Sequence, residues 1–212
     1  MNRSSIIESV HVSPLGPALR STVSLALTPY WAGRGRPAPA PPHRKRAVVA
    51  EYATRFQVGA FVETGTYRGD TLALVGKLVD RAVSIELDER LADLARKRFS
   101  RVPQVEIITG DSAQVLPGVV DDLSNVALFW LDGHFSDGVT ALGDQVTPIE
   151  QELRTVLRPG GVDHIVLIDD ARLFDGTDGY PMLSTVRALA EELRPGWSFL
   201  VENDIIRMHP MR

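Results

Sequence analysis

The chain has 212 residues, 44% of them hydrophobic and 24% charged, with no cysteine. That size and balance fit one soluble domain with a substantial core, and the missing cysteines exclude disulfides, thiolate catalysis, zinc fingers and iron–sulfur clusters. Net charge is −4, yet residues 1–46 hold seven Lys or Arg against Glu8 alone, leaving 16 basic and 26 acidic residues, a poor balance for gripping a phosphate backbone.

Residues 1–43 read as a basic, Pro-rich arm that ends in Pro37, Pro39, Pro41 and Pro42, and residues 44–212 read as the folded domain. Composition leaves the arm open between a lid, a disordered extension and an organelle-targeting segment. With Trp31 and its apolar neighbours it could also cross to a second copy, making a homodimer. From there the text alternates. A helix is expected over Arg46–Phe56, a strand over Ala60–Glu63, a helix over Thr71–Val79, a strand over Ala82–Glu86 and a helix over Glu89–Phe99. Strand Val105–Thr109, a short helix at Ala113–Leu116, strand Val126–Leu131, helix Pro148–Leu157 and strand His164–Ile168 follow. Uninterrupted apolar runs of this kind belong to parallel strands covered on both faces. After a helix at Leu183–Leu193, Ser198–Val201 and Ile205–Met208 flank the turn Glu202-Asn203-Asp204 and read as an antiparallel hairpin. The expected fold is a doubly wound, seven-stranded α/β sheet, mostly parallel, of Rossmann-like type. No apolar run reaches the roughly 18 residues of a membrane span, and without a secretory signal the default location is the cytoplasm.

In such a sheet the ligand sits beyond the carboxyl ends of the strands, and here those ends are acidic: Glu63, Glu86, Asp111, Asp132, and the pair Asp169 and Asp170. Any one could simply cap the following helix; the set together asks for more. The first turn, Glu63-Thr64-Gly65-Thr66-Tyr67-Arg68-Gly69-Asp70-Thr71, has two glycines that let backbone approach a ligand. It matches neither the dinucleotide fingerprint GxGxxG nor the phosphate loop GxxxxGK[ST], so a nucleoside without a pyrophosphate fits better. Glu86, followed by Leu87, stands where a carboxylate can accept both ribose hydroxyls, and Asp111 and Ser112 where a purine can be read. His134, two residues past Asp132, is the candidate general base, or else a residue that orients its neighbours or a plain surface histidine. Trp130 reads as core, and the polar loop Phe174 to Tyr180 as a substrate contact or a plain connector.

The ordered set ExGxYxG, SIELDE, VEIITGDSAQVLP, LDGH and LIDD, spread over about Arg46 to Arg212, resembles the class I S-adenosylmethionine-dependent methyltransferases. Within them it is most similar to the Mg-dependent small-molecule O-methyltransferases of the catechol and macrolide-sugar types. That resemblance implies cofactor contacts from Glu63, Thr64, Gly65, Thr66, Tyr67, Gly69, Thr71, Glu86, Leu87, Asp111, Ser112 and Asp132. It implies Mg²⁺ on Asp132, Asp169 and Asp170, with Asp132 and His134 at the chemistry. The substrate would be a small hydroxylated molecule. One departure is plain: Phe135, Ser136 and Asp137 supply no lysine where the catechol type has its base. Two other readings remain, a nucleic-acid or other non-O-methyltransferase of this fold and a non-catalytic binding module; the absence of (N/D)PPY after strand four speaks against the amino-methylating kind.

Overall fold

A computed structural model describes residues 28–132 and 147–211. Helices α1 (Thr28–Gly33) and α2 (Pro42–Arg55) precede β1 (Ala60–Thr64), α3 (Asp70–Val75), β2 (Arg81–Glu86), α4 (Glu89–Phe99), β3 (Val105–Thr109) and α5 (Ser112–Asp121). Then come β4 (Ala127–Leu131), α6 (Ile149–Val156), β5 (Ile165–Ile168), a 3-10 turn at Ala171–Leu173, α7 (Leu183–Leu193), β6 (Ser198–Glu202) and β7 (Ile205–His209). The sheet runs β3-β2-β1-β4-β5-β7-β6, parallel except where β7 joins β5 and β6. This is the expected seven-stranded Rossmann-like arrangement with its closing hairpin. Asn203 and Asp204 both take positive φ, 54° and 63°, as a two-residue hairpin turn with the strands' own twist requires.

Period-two alternation splits the core into two layers. Ala127, Phe129 and Leu131 of β4, with Val166 and Ile168 of β5, face α5, α6 and α7. Leu128 and Trp130, with Ile165 and Leu167, face α2, α3 and α4. All nine are buried, which is why these strands are apolar throughout.

Several boundaries differ from the expectation for identifiable reasons. Helix α2 begins four residues before Arg46, because Pro42 occupies its first turn, where a missing N–H costs nothing. Helix α5 runs on to Asp121 through Pro117. The bond Pro117 cannot give to Ala113 O is replaced by Gln151 Nε2, which donates to that carbonyl at 3.2 Å. Residues 28–41 fold back on the start of α2: Trp31 Nε1 donates to Pro37 O at 2.7 Å, and Thr28 Oγ1 lies 2.7 Å from His43 Nε2. Among the described residues no helix is long and apolar enough to cross a membrane.

Candidate active site

Strand order reverses between β1 and β4, which pair Thr64 with Leu131, and a cavity of about 400 Å³ opens at that reversal. The Gly65 turn, Tyr67, Trp130, Asp132 and Asp169 line it from the strand ends, and Pro39, Ala40 and Lys45 wall it from the N-terminal segment. Gly65 has φ +84°, and a Cβ there would stand 3.3 Å from Asp132 Cβ. Only glycine lets the β1 turn and the β4 end approach this closely. Gly69, at φ +66°, begins α3 with Phe99 Cε2 2.8 Å from where its Cβ would lie.

Beneath the turn runs a buried polar chain. Ser84 Oγ donates to Glu63 Oε1 at 2.7 Å, and Thr66 Oγ1 lies 2.6 Å from Ser84 Oγ. Burial, reinforced by the charges of Asp132 and Glu86 and opposed by the Ser84 bond, pushes the Glu63 carboxyl up to about 8. Glu63 is therefore held neutral near pH 7. Glu86, 7% exposed, accepts from Tyr67 N at 2.8 Å and from Asp88 N at 3.0 Å. Each of its oxygens keeps a further lone pair. Tyr67 takes φ 47° to present its N–H, while its ring is exposed under the Arg68 guanidinium, 4.9 Å from the ring centre.

The strand-end residues do not all converge. Glu63, Gly65, Thr66, Tyr67, Gly69, Thr71, Asp132 and Asp169 line the cavity. Thr64 is buried, and its Oγ1 accepts from Asp132 N at 3.3 Å. Leu87 is 45% exposed. Asp111 caps α5, accepting from Ala113 N at 3.0 Å, with Ser112 as the helix's first residue. His134 and the stretch from Gly133 to Gln145 lie outside the described residues.

Asp132, Asp169 and Asp170 bring one carboxylate oxygen each to within 4.8 Å of one another. Asp170 stands at φ 53°, a left-handed corner, with its N–H on Asp169 Oδ1 at 2.7 Å. The hairpin turn adds Asp204, whose Oδ1 accepts from Arg172 N at 2.9 Å. Two cations face these acids. Lys45 Nζ lies 2.5 Å from Asp169 Oδ1, 2.5 Å from Asp170 Oδ1 and 3.6 Å from Asp204 Oδ2. The Arg172 guanidinium bonds Asp170 Oδ1 at 2.5 Å and also Asp204 Oδ2. Burial and the Asp170 charge push Asp169 up to about 7 against the pull of Lys45. Asp170, despite burial, is held below its ordinary value by Lys45 and Arg172. Burial opposes the Lys45 ammonium, but the Asp169 charge and both carboxyl bonds keep its pKa above the usual value. Tyr180 packs edge-on against Phe174; burial and the charges of Asp132 and Asp170 push its hydroxyl up to about 12.

Lys45 and Asp204 are thus residues beside the acidic cluster that the sequence reading overlooked. Lys45 did carry a signal. It shares the helical stripe of Val48, Val49 and Tyr52, all buried, and a lysine on an apolar stripe asks for a partner.

The profile of the family described as "Methyltransferase domain" matches residues 62–171, just over half of the chain. No curated protein sequence matches. Among solved structures the chain is similar to the O-methyltransferase TomG from Streptomyces achromogenes, involved in tomaymycin synthesis and solved with SAM. Identity is 17%, 91% of this chain and 89% of that one are covered, and the TM-score is 0.56. It is similar to the O-methyltransferase from Bacillus cereus in complex with SAH, at 17% identity, 89% and 90% coverage and TM-score 0.54. The N-methyltransferase NodS from Bradyrhizobium japonicum WM9 also aligns, at 13% identity, 87% and 98% coverage and TM-score 0.51. At these identities the likeness is one of fold.

Proposed function

The chain belongs to this methyltransferase-domain family, and on that premise we propose that it moves the methyl group of S-adenosylmethionine to a hydroxyl of a small molecule, with Mg²⁺ assisting. The substrate class is a sugar, polyol, phenol or natural product, and the acidic body keeps nucleic acid out of the assignment. The cytoplasm is the proposed location, and the N-terminal segment the proposed contact for any homodimer.

One observation carries this reading: the three-carboxylate cluster abuts the glycine turn, with Asp132 common to both. The residues fit the two groups invoked. For the nucleoside sulfonium, the turn at Gly65 and Gly69 lines the cavity of about 400 Å³, and the Tyr67 amide of that turn fixes the Glu86 carboxylate. For the divalent cation, four carboxyl groups, those of Asp132, Asp169, Asp170 and Asp204, face Lys45 and Arg172, and all the donors are hard oxygens. When bound, the cosubstrate supplies an electrophilic methyl and the metal supplies Lewis acidity that eases loss of a hydroxyl proton.

The chain's own residues do the rest. Glu86, anchored by two backbone amides, offers its remaining lone pairs to ribose hydroxyls. Asp111 and Ser112 flank the purine side, with the Asp111 carboxylate also capping α5. Neutral Glu63 and its Ser84–Thr66 chain hold the turn in place without adding a charge. Asp132, Asp169 and Asp170 hold the metal and orient the acceptor oxygen, so catalysis is alignment and charge stabilisation. His134 is the proposed proton acceptor.

Calorimetric titration of S-adenosylhomocysteine, with and without Mg²⁺, tests the reading. Glu86→Ala is expected to lose cofactor binding, and Asp169→Ala to keep it while losing metal binding and turnover. If both variants methylate acceptors as wild type does, the reading fails.

A further inference from the structure

The space between Asp169 and Asp170, where the functional reading would put the metal, holds a cation already. Lys45 Nζ lies 2.5 Å from Oδ1 of each, its side chain is 11% exposed, and it arrives from a helix at the other end of the chain. Magnesium holds ligand oxygens at about 2.0–2.1 Å, so an ion bridging these two atoms needs the volume that the ammonium nitrogen fills. Two like charges at that separation in a largely buried site repel strongly. Resting on the functional reading above, we propose that Lys45 is a tethered counter-cation that competes with the divalent ion, and that metal loading expels it.

Expulsion has a structural consequence. Lys45 ties the first turn of α2 to the end of β5, and Pro39, Ala40 and Lys45 itself wall the cavity. The other groups facing the cluster hold without Lys45: Arg172 bonds Asp170 and Asp204, and Asp132 stays on the β4 end through Thr64. Only the N-terminal wall is released. Metal affinity and the packing of residues 28–46 are therefore reciprocal, each weakening the other by the same factor. This wall opens when the metal enters and closes when it leaves.

The test is calorimetric titration of Mn²⁺ and Mg²⁺ into wild type, Lys45→Met and Lys45→Gln, with hydrogen exchange over residues 28–46 read in parallel. Both variants are expected to bind the ion about tenfold or more tightly than wild type. In wild type, metal speeds exchange of residues 28–46; in the variants exchange is fast already and metal leaves it unchanged. A variant that folds only with metal present also supports the exchange of one cation for the other. Equal or weaker metal binding by the variants overturns the competition while leaving the metal reading intact, as does wild-type exchange that metal does not alter. If no form of the protein binds a divalent ion, the metal reading itself falls, and the inference with it.

Discussion

Replacing Glu63 by Gln keeps the shape of a side chain that is 1% exposed and removes only its ability to ionise. In the fold the carboxyl titrates at about 8, against an ordinary 4.5. A raised carboxyl pKa means the fold holds the proton that the unfolded chain gives up. The stability this confers is complete below pH 4.5 and is lost as pH climbs through 8. At about 1.4 kcal/mol per pH unit, the interval of 3.5 units between those two values amounts to about 5 kcal/mol. Gln at this position accepts from Ser84 just as the acid does, and it cannot lose a proton. Urea denaturation of wild type and Glu63→Gln at about pH 5 and pH 8 should give similar stabilities at the lower pH and a variant ahead by several kcal/mol at the higher. Asp169 and Glu152, which also titrate near 7, contribute equally to both proteins and cancel in the difference. Stabilities that run parallel across this range would refute the assignment of Glu63 as a neutral acid. S-adenosylhomocysteine should still bind the variant, since the polar chain under the glycine turn is unbroken.

His164 gives the opposite pH signature. Its Nδ1 accepts the Ala127 amide at 3.1 Å, and burial holds its pKa down to about 4, so stability is full above 6.5 and drains by about 3 kcal/mol as pH falls toward 4. His164→Gln, which can still accept from Ala127, should flatten that acid limb, and an unchanged slope would count against the account. Gly69→Ala forces an alanine to φ +66° against the Phe99 ring and should lose about 1–3 kcal/mol, with weaker S-adenosylhomocysteine binding by calorimetry. Gly118→Ala, on an exposed helical position with nothing within 4 Å, should instead gain about 0.5–1 kcal/mol, read for both glycine variants by urea denaturation. Glu152 is fully buried with neither carboxyl oxygen in a well-formed hydrogen bond, although Ser112 and Thr64 lie close enough to ease its charge. Glu152→Gln should be the more stable protein above pH 7 and match wild type below 4.5, and a variant no better at high pH would show that the charge is well solvated.

The parallel strands were legible because both faces of each are covered, which writes Ala127–Leu131 and Ile165–Ile168 as unbroken apolar runs. The acids at their ends were legible for a related reason: a polar residue closing such a run must lie where the sheet stops. Glu63, Asp132 and Asp169 do line one cavity. The rest depended on contacts between distant segments. Local rules end a helix near Pro117, and only Gln151, 38 residues beyond Ala113, shows how the helix survives it. Arg44-Lys45-Arg46 has the composition of a solvated basic run, and although the stripe Val48, Val49 and Tyr52 turns its middle residue inward, nothing nearby says that its partners lie at the end of β5. Asp204 looks like an ordinary turn residue until β7 is inserted beside β5. Asp111 shows the converse, a carboxylate engaged as a cap within its own segment.

The span of the Lys45–Asp170 contact, 125 residues, bears on how the protein is made. Arg172 and Asp204 add another link across 32 residues, from β5 to the final hairpin. During synthesis the N-terminal helix and the first four strands emerge well before either partner exists, so Lys45 has no counter-charge until β5 and the last turn are out of the ribosome. Loop-closure entropy of this length is met late, after the sheet has brought the ends together. The clustered acids therefore gather as a closing event of folding, and a nascent chain that stops before Asn203 has a sheet but lacks Asp204, the further carboxylate facing Lys45.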